Sequence, residues 1–104
     1  MLPVRLSRRA EADLLNIAAY TFRTWGEAQT IRYLDGIEAC CRGLAGDPPS
    51  GRTCDQMRPG LRRIEHGKHV VFFRIEKTRI LVSRILHERM LPEIHAIGSE
   101  ADEA

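Results

Sequence analysis

The sequence has no long hydrophobic run. None of its apolar stretches approaches the roughly 20 residues that a membrane-spanning helix needs, and residues 1–9 (MLPVRLSRR) contain no apolar core of the kind found in signal peptides. We therefore expect a cytoplasmic protein that does not enter a membrane. The length of 104 residues, with 43% hydrophobic and 29% charged residues, is typical of one globular domain with its own core.

Cysteine is scarce, and its positions do not favour disulfides. The chain has three cysteines, Cys40, Cys41 and Cys54. An odd number leaves at least one thiol unpaired, and the side chains of two adjacent cysteines diverge too far for an unstrained bridge. We interpret all three as reduced thiols that contribute to packing.

Motifs for cofactors and metals are missing as well. The sequence contains no GxGxxG or GxxxxGK[ST] string that would hold phosphates, so we expect no nucleotide cofactor. Histidine occurs at positions 66, 69, 87 and 95, but neither a CxxC nor an HExxH motif accompanies it. We predict neither a bound metal nor a cofactor.

The net charge of +2 conceals an uneven distribution along the chain. Residues 1–51 are neutral, residues 52–89 carry ten basic against four acidic side chains, and residues 90–104 carry four acidic side chains and no basic one. Eight of the ten bases are arginine, which favours two-point binding of carboxylate or phosphate. Segment 52–89 therefore predicts a basic surface for an acidic partner, nucleic acid or protein; the alternative is a solvated rim of strand residues.

The first half of the chain predicts one short strand and two helices joined as an antiparallel hairpin. Alternation in residues 2–7 indicates the strand, and Ser7 is placed to cap the first helix. Gly26 closes that helix, and the second runs as far as the Gly/Pro-rich residues 46–51. Side chains at helical spacing predict the faces that pack on a core: Leu14, Ile17, Ala18, Thr21 and Trp25, then Ala28, Ile31, Leu34, Ile37, Cys41 and Leu44.

The second half changes to the two-residue period of β-strands. Three strands are predicted, at residues 61–66, 69–76 and 79–86. The last two strands are apolar at consecutive positions, so we expect other parts of the chain to pack on both of their faces. The result is an α+β fold of order β-α-α-β-β-β, a mainly antiparallel sheet with a helical hairpin packed on one face. We expect one domain over residues 1–97 and a disordered acidic tail over residues 98–104.

Arginine and histidine concentrate on these three strands and just beyond them. The residues concerned include Arg62, Arg63, His66, His69, Arg74, Arg84, His87 and Arg89. Such groups could position an RNA phosphate, with histidine as a proton shuttle, or hold a protein carboxylate. Strand alternation places Arg62 and Arg63 on opposite faces, so the whole set cannot converge on one site. The second half has no tyrosine to stack on a base, which counts against an RNA-cleaving enzyme.

Three segments carry a resemblance to a known family: residues 58–62 (RPGLR), 67–74 (GKHVVFFR) and 84–87 (RILH). Over about residues 2–91 the chain resembles the ParE toxins of the RelE/ParE superfamily, which belong to bacterial type II toxin-antitoxin modules. The resemblance implies the RelE/ParE-like fold, a toxin that inhibits DNA gyrase, and neutralisation by an acidic ParD-type antitoxin in a hetero-oligomer. We expect the antitoxin to lay an amphipathic segment across the helical hairpin and a sheet edge.

The superfamily leaves more than one function class open. In the gyrase-inhibiting branch the chain has no catalytic residues, and its basic side chains bind the target or the antitoxin. These side chains are Arg58, Arg62, Arg63, Arg74, Arg84, His87 and Arg89. An inactive or regulatory binding module is a further class.

The alternative branch is a ribosome-dependent mRNA endonuclease of the RelE type. There His87 would act as acid or base, and three arginines would hold phosphate: Arg62, Arg84 and Arg89. Relatives of that branch often use a tyrosine near the C-terminus, where this chain has Met90 and Leu91. The departure favours the gyrase branch.

Overall fold

The computed structural model describes residues 2–46, 52–55 and 58–89. Its elements are, in chain order, β1 (Val4–Leu6), α1 (Arg8–Trp25), α2 (Glu27–Gly46), β2 (Arg52–Thr53), β3 (Leu61–His66), β4 (His69–Ile75) and β5 (Ile80–His87). The predicted order is confirmed, with β2 added. The sequence did not indicate β2, because two exposed residues show no alternation to recognise. The predicted tail, residues 98–104, lies outside the described residues.

The strands form one sheet in the order β1-β5-β4-β3-β2. β1 lies parallel to β5, with Val4 opposite Ile80 and Leu6 opposite Val82. The pairings of β2 with β3, β3 with β4 and β4 with β5 are antiparallel. The mainly antiparallel α+β fold is therefore confirmed, and the first strand of the chain pairs with the last one described.

Ser7 joins the start of α1 to the sheet. Its hydroxyl oxygen accepts a hydrogen bond from the Ala10 amide at 3.0 Å, which satisfies one of the amides left free at the helix start. The same hydroxyl donates to the carbonyl of Ser83 on β5 at 2.7 Å. The predicted cap is confirmed, and its second bond fixes where α1 begins relative to β5. Within the described part of the chain, no helix is long and apolar enough to cross a membrane.

Gly26 ends α1 and begins the turn into α2. Its φ of +86° lies in the region that favours glycine, and its amide donates to the Phe22 carbonyl at 3.0 Å. No other residue separates the two helices. The predicted helical hairpin is therefore confirmed.

The core has one layer on each face of the sheet. On the helix side, Ile17 of α1 and Ile37 of α2 pack with Phe73 of β4. On the other side, Phe72 packs with Leu61 of β3 and with further side chains, Cys54, Val70 and Leu86. Phe72 and Phe73 are both fully buried on opposite faces, so the expected cover on both sides of the central strands is confirmed.

The cysteines follow the packing prediction. All three are free, and Cys41 and Cys54 are buried in the two core layers. Burial raises the pKa of the Cys41 thiol to about 11, with smaller contributions from Cys40 and Glu38. A thiol with this pKa stays protonated at neutral pH and is unreactive.

The predicted core faces of the helices are wrong near the turn between them. Trp25 is 69% exposed and Ile31 is 53% exposed, although both continue the helical spacing of buried positions. Residues 22–29 contain no buried side chain, so this end of the hairpin does not pack into the core. Leu15, Tyr20 and Phe22 of α1 are exposed as well. The hairpin therefore presents apolar surface that its own core does not cover.

Candidate functional site

The sheet register divides the predicted basic residues between two faces. Arg63 lies opposite Phe72, on the face away from the helices. Arg84 also lies opposite Phe72 in the register, but its guanidinium binds Asp13 of α1. Arg62 lies opposite Phe73, on the helix face. This division confirms that the set does not converge on one site, as alternation predicted.

The remaining basic candidates lie at different positions along the strands or just outside them. Arg74 lies opposite Leu61 and Leu81, on the face away from the helices. Arg58 precedes β3, and Arg89 follows β5 in a short helical turn. The candidates therefore surround the sheet, and one face holds only part of them.

Arg84 is held by Asp13 of α1. Its Nε donates to Asp13 Oδ2 at 2.8 Å and its Nη2 donates to Oδ1 at 3.0 Å. The Ile85 amide also donates to Asp13 Oδ2, at 2.9 Å. The two side chains are only 14% and 10% exposed, so this ion pair lies inside the fold. A carboxylate that accepts three hydrogen bonds in this position connects α1 to the edge of β5 beyond the short β1.

The nuclease set of the alternative branch is only partly assembled. His87 and Arg89 are adjacent, and His87 Nδ1 accepts the Arg89 amide at 3.1 Å. Arg84 is turned to Asp13. Arg62 lies opposite Phe73, which lies opposite Val82 on β5. Val82 is five residues before His87, so Arg62 is far from His87 along the sheet. Two of the four groups therefore share a location.

Three histidines and a tyrosine form a cluster where β3, β4 and β5 begin or end. His69 lies opposite both His66 and His87 in the sheet. The His69 and His87 rings meet edge to face, with centroids 5.2 Å apart. The hydroxyl of Tyr33 on α2 hydrogen-bonds to Nδ1 of His69. Tyr33 is a cluster member that the sequence analysis missed, because its position on a helix gave no sign of the strand ends above it.

The cluster keeps His69 uncharged. The pKa of His69 is lowered to about 4, chiefly by burial and to a smaller extent by the nearby His87 and His66, against an opposing effect of Glu88. A histidine with this pKa is neutral at physiological pH. In the described part of the chain, no three His, Cys, Asp or Glu side chains are arranged to hold a metal ion. The contacts within the cluster are the Tyr33–His69 hydrogen bond and the packing of the rings.

A groove of about 360 Å³ lies beside this cluster, between α1 and the end of β5. One wall consists of Asn16, Ile17 and Tyr20 of α1, and the other of Ile85, His87 and Arg89. Asp13 and His69 complete the lining. We call this cavity the α1-β5 groove. Its walls are mainly apolar, with an arginine at the end of β5, which is a typical composition for a binding site.

The fold is that of a toxin-antitoxin protein. The chain matches a solved structure titled "Chromosomal ParDE TA system from P. aeruginosa" with a TM-score of 0.73, over 84% of this chain and 96% of that chain, at 22% sequence identity. A family model, described as "ParE toxin of type II toxin-antitoxin system, parDE", matches residues 4–92.

Curated relatives agree with the family model. Toxin ParE1 of Caulobacter vibrioides is 39% identical over 95 residues, which is 91% of this chain and 98% of the relative. Toxin ParE1 of Mycobacterium tuberculosis is 38% identical over 86 residues, covering 82% of this chain and 88% of the relative. The chain belongs to the ParE toxin family of type II toxin-antitoxin systems.

Proposed function

We propose that this ParE-family toxin inhibits DNA gyrase without a catalytic site of its own and is neutralised by a ParD-type antitoxin. The observation that carries the proposal is the family match over residues 4–92. Gyrase as target and ParD as partner come from the ParE branch of the superfamily. Placement in the cytoplasm, where gyrase is found, belongs to the same proposal.

The charge distribution supports an acidic partner. Residues 52–89 carry six more basic than acidic side chains, and such a surface attracts acidic proteins and speeds their association. We propose that the contacts to target or antitoxin come from this region, through Arg58, Arg62, Arg63, Arg74, His87 and Arg89. Arg84 stabilises the fold through Asp13, so its part in binding is indirect.

One observation favours mRNA cleavage as the second candidate. His87 and Arg89 both line the α1-β5 groove, so an acid or base and a phosphate-binding group belong to the same cavity. Against this, Arg84 already binds a carboxylate, and Tyr33, the tyrosine of the cluster, is hydrogen-bonded to His69. We therefore keep mRNA cleavage as the second candidate.

The deciding experiment runs two assays on the same purified protein. Gyrase supercoiling and DNA cleavage are measured beside cleavage of mRNA on programmed ribosomes, each with and without added antitoxin. We expect loss of supercoiling with accumulation of cleaved DNA, both reversed by the antitoxin. Intact gyrase activity together with cut mRNA would reject the gyrase proposal. In that case His87→Ala should reduce mRNA cleavage by about 10²-fold or more, the typical size of acid-base catalysis.

Variants of the basic surface need a folding control. Arg84→Glu places two carboxylates together inside the fold, so a loss of toxicity in this variant reports unfolding. Arg63→Glu is the more informative change because Arg63 lies on the sheet face away from the helices and its ion pair with Glu65 is partly exposed. A folded Arg63→Glu protein with reduced gyrase inhibition would support the basic surface as the contact region.

A further inference from the structure

One side of α1 carries large apolar side chains that the fold leaves exposed. Leu15, Phe22 and Trp25 are 73%, 58% and 69% exposed. They are spaced by seven and three residues, so they share one side of a helix with 3.6 residues per turn. Tyr20, which lines the α1-β5 groove, lies on the opposite side of α1. An exposed apolar patch of this kind marks an interaction surface, and this one is separate from the groove.

The exposed patch has the area of a small interface. Ile31 of α2 is 53% exposed and lies at the same end of the hairpin as Phe22, close to the turn at Gly26. Since a large aromatic side chain offers about 150 to 250 Å² for burial, these four apolar side chains expose roughly 500 Å² on one copy of the chain. Two copies that face each other through this patch would bury roughly 1,000 Å² in total, which is the lower limit for a specific interface.

The pattern of side-chain sizes on this side of α1 is self-complementary. The order is Leu15, Ala18, Ala19, Phe22, which is large, small, small, large. It reads the same from either end, so two antiparallel α1 helices centred between the alanines bring each Leu15 against the Phe22 of the other copy, and the alanines let the backbones approach closely. A two-fold symmetric contact requires such self-complementarity. We call this surface the α1 stripe; it consists of Leu15, Ala18, Ala19, Phe22 and Trp25.

We propose that two copies of this chain associate through the α1 stripe as an antiparallel helix pair with two-fold symmetry. Leu15 of each copy packs on Phe22 of the other, and Trp25 and Ile31 flank this contact. The partner that fits the stripe is a second copy of the chain, because one patch supplies both halves of the contact. An interface of this small area gives a dissociation constant in the micromolar range.

The charges at the ends of the stripe favour the antiparallel arrangement. Arg8 is exposed and precedes Leu15 by seven residues, so it lies on the same side of α1. In an antiparallel pair Arg8 reaches the turn of the other hairpin, where the exposed Glu27 begins α2. The symmetry forms this ion pair twice. A parallel pair would instead place Arg8 beside the Arg8 of the other copy, and like charges repel.

The dimer leaves the basic strands outside the contact. The hairpin packs on the sheet through its buried side, with Ile17 and Ile37 in the helix-side core. The α1 stripe faces solvent, so the sheet with the basic surplus of residues 52–89 does not take part in the pairing. A dimer presents two copies of this basic surface, and a target that contacts both is held more tightly than by one copy. The pairing itself does not depend on the identity of that target.

Sedimentation equilibrium of the 104-residue chain without antitoxin tests the pairing. We expect a monomer–dimer equilibrium with a dissociation constant of about 1 to 100 μM. Phe22→Glu and Leu15→Glu should each weaken dimerisation by about tenfold or more, because they place a charge at the centre of the apolar contact. The matched control is Tyr20→Glu, which changes a 61% exposed aromatic residue on the other side of the same helix. Its dimerisation should stay within about twofold of that of the unmodified chain.

A charge exchange tests the antiparallel register. Arg8→Glu and Glu27→Arg should each weaken dimerisation by about fivefold, the effect of an exposed ion pair. The double variant restores the pair with its signs exchanged, so it should return to within about twofold of the unmodified chain. Circular dichroism below the dissociation constant should give the same melting temperature for all variants, which separates loss of the dimer from unfolding. A double variant that does not recover would reject the antiparallel pairing.

Other outcomes would overturn the dimer altogether. One is a chain that stays monomeric at about 100 μM. Another is a dimer that Phe22→Glu leaves intact, because the copies would then meet elsewhere. If the chain is monomeric and Phe22→Glu weakens the binding of a ParD-type antitoxin, the stripe is an antitoxin surface and the dimer is rejected. A monomeric chain that still inhibits gyrase would reject the dimer and leave the proposed function standing.

Discussion

Asp13 and Arg84 form a two-point ion pair across 71 residues of sequence. The pair lies where β1 has ended and α1 passes the edge of β5, and it also takes up the Ile85 amide. β1 is too short to pair with Ile85, and the Asp13 carboxylate accepts the hydrogen bond of the Ile85 amide in its place. An arginine that the sequence suggested for binding serves here to attach the helical hairpin to the sheet.

Removal of Asp13 should destabilise the protein strongly. Asp13→Ala leaves a largely buried guanidinium and the Ile85 amide without their carboxylate, and we expect the free energy of unfolding to fall by about 3 kcal/mol. Urea denaturation followed by circular dichroism measures it. The control is Glu38→Ala, which removes an exposed helical pair with Arg42 and should cost about 0.5 kcal/mol or less. Equal losses in the two variants would contradict the structural role of Asp13.

Loss of the Ser7 hydroxyl should also be costly. Ser7→Ala removes the cap of α1 and the bond to the Ser83 carbonyl, and we expect a loss of about 2 kcal/mol in the free energy of unfolding. Thr24→Ala, an exposed change in the same helix, should stay within about 0.5 kcal/mol. A small effect of Ser7→Ala, close to that of Thr24→Ala, would show that water replaces both bonds.

Two glycines of α2 should respond in opposite ways to alanine. At Gly43 nothing lies within 4 Å of an added Cβ, so Gly43→Ala should stabilise the helix by up to about 1 kcal/mol. At Gly36 an added Cβ would lie 2.7 Å from Nε2 of His66, so the imidazole must move. We expect Gly36→Ala to be about 1 to 2 kcal/mol less stable than Gly43→Ala, since overpacking costs that much. Thermal melting of both variants measures the difference, and equal melting temperatures would contradict the close approach.

The free energy of unfolding should fall as the pH is lowered, because His69 is kept neutral in the folded protein. The pKa of this histidine is 6.5 in an unfolded chain and about 4 in the fold, so the unfolded state binds more protons between these values. Lowering the pH from 6.5 to 4 therefore reduces the free energy of unfolding, by less than the roughly 1.4 kcal/mol per pH unit that a full proton would give.

The variant His69→Gln isolates this effect. Urea denaturation at pH 7 and pH 5 should show a smaller loss of stability in His69→Gln than in the unmodified protein. The comparison removes the contribution of carboxylates, which titrate in both proteins. An equal loss in the two proteins would show that His69 is not kept neutral by the fold.

Local sequence signals predicted most of the fold. A helix cap, a helix end and a central strand were predicted from Ser7, Gly26 and the apolar run around Phe72. Each of these signals depends on interactions within a few residues of the chain, so it is visible in the sequence. The face assignment of Arg62 and Arg63 also followed, because strand alternation depends only on neighbours.

The features that sequence did not predict depend on distant contacts. Nothing near Asp13 in the chain indicates Arg84 as its partner, and the groove exists only once α1 lies beside β5. Trp25 is exposed although it continues the helical spacing of α1, because helical spacing does not tell which turns of a helix meet the core. The family resemblance predicted the type of toxin, while the position of each side chain required the fold.

The parallel pairing of β1 with β5 has a consequence for synthesis on the ribosome. Ser7 and Ser83, which bond across this junction, are 76 residues apart. At about 5 to 20 residues per second, roughly 4 to 15 s pass between translation of the two residues. The residues of β1 and of both helices are therefore synthesised seconds before β5, the strand with which β1 pairs. We expect nascent chains to stay open during this interval, so that only chains translated through β5 become folded toxin.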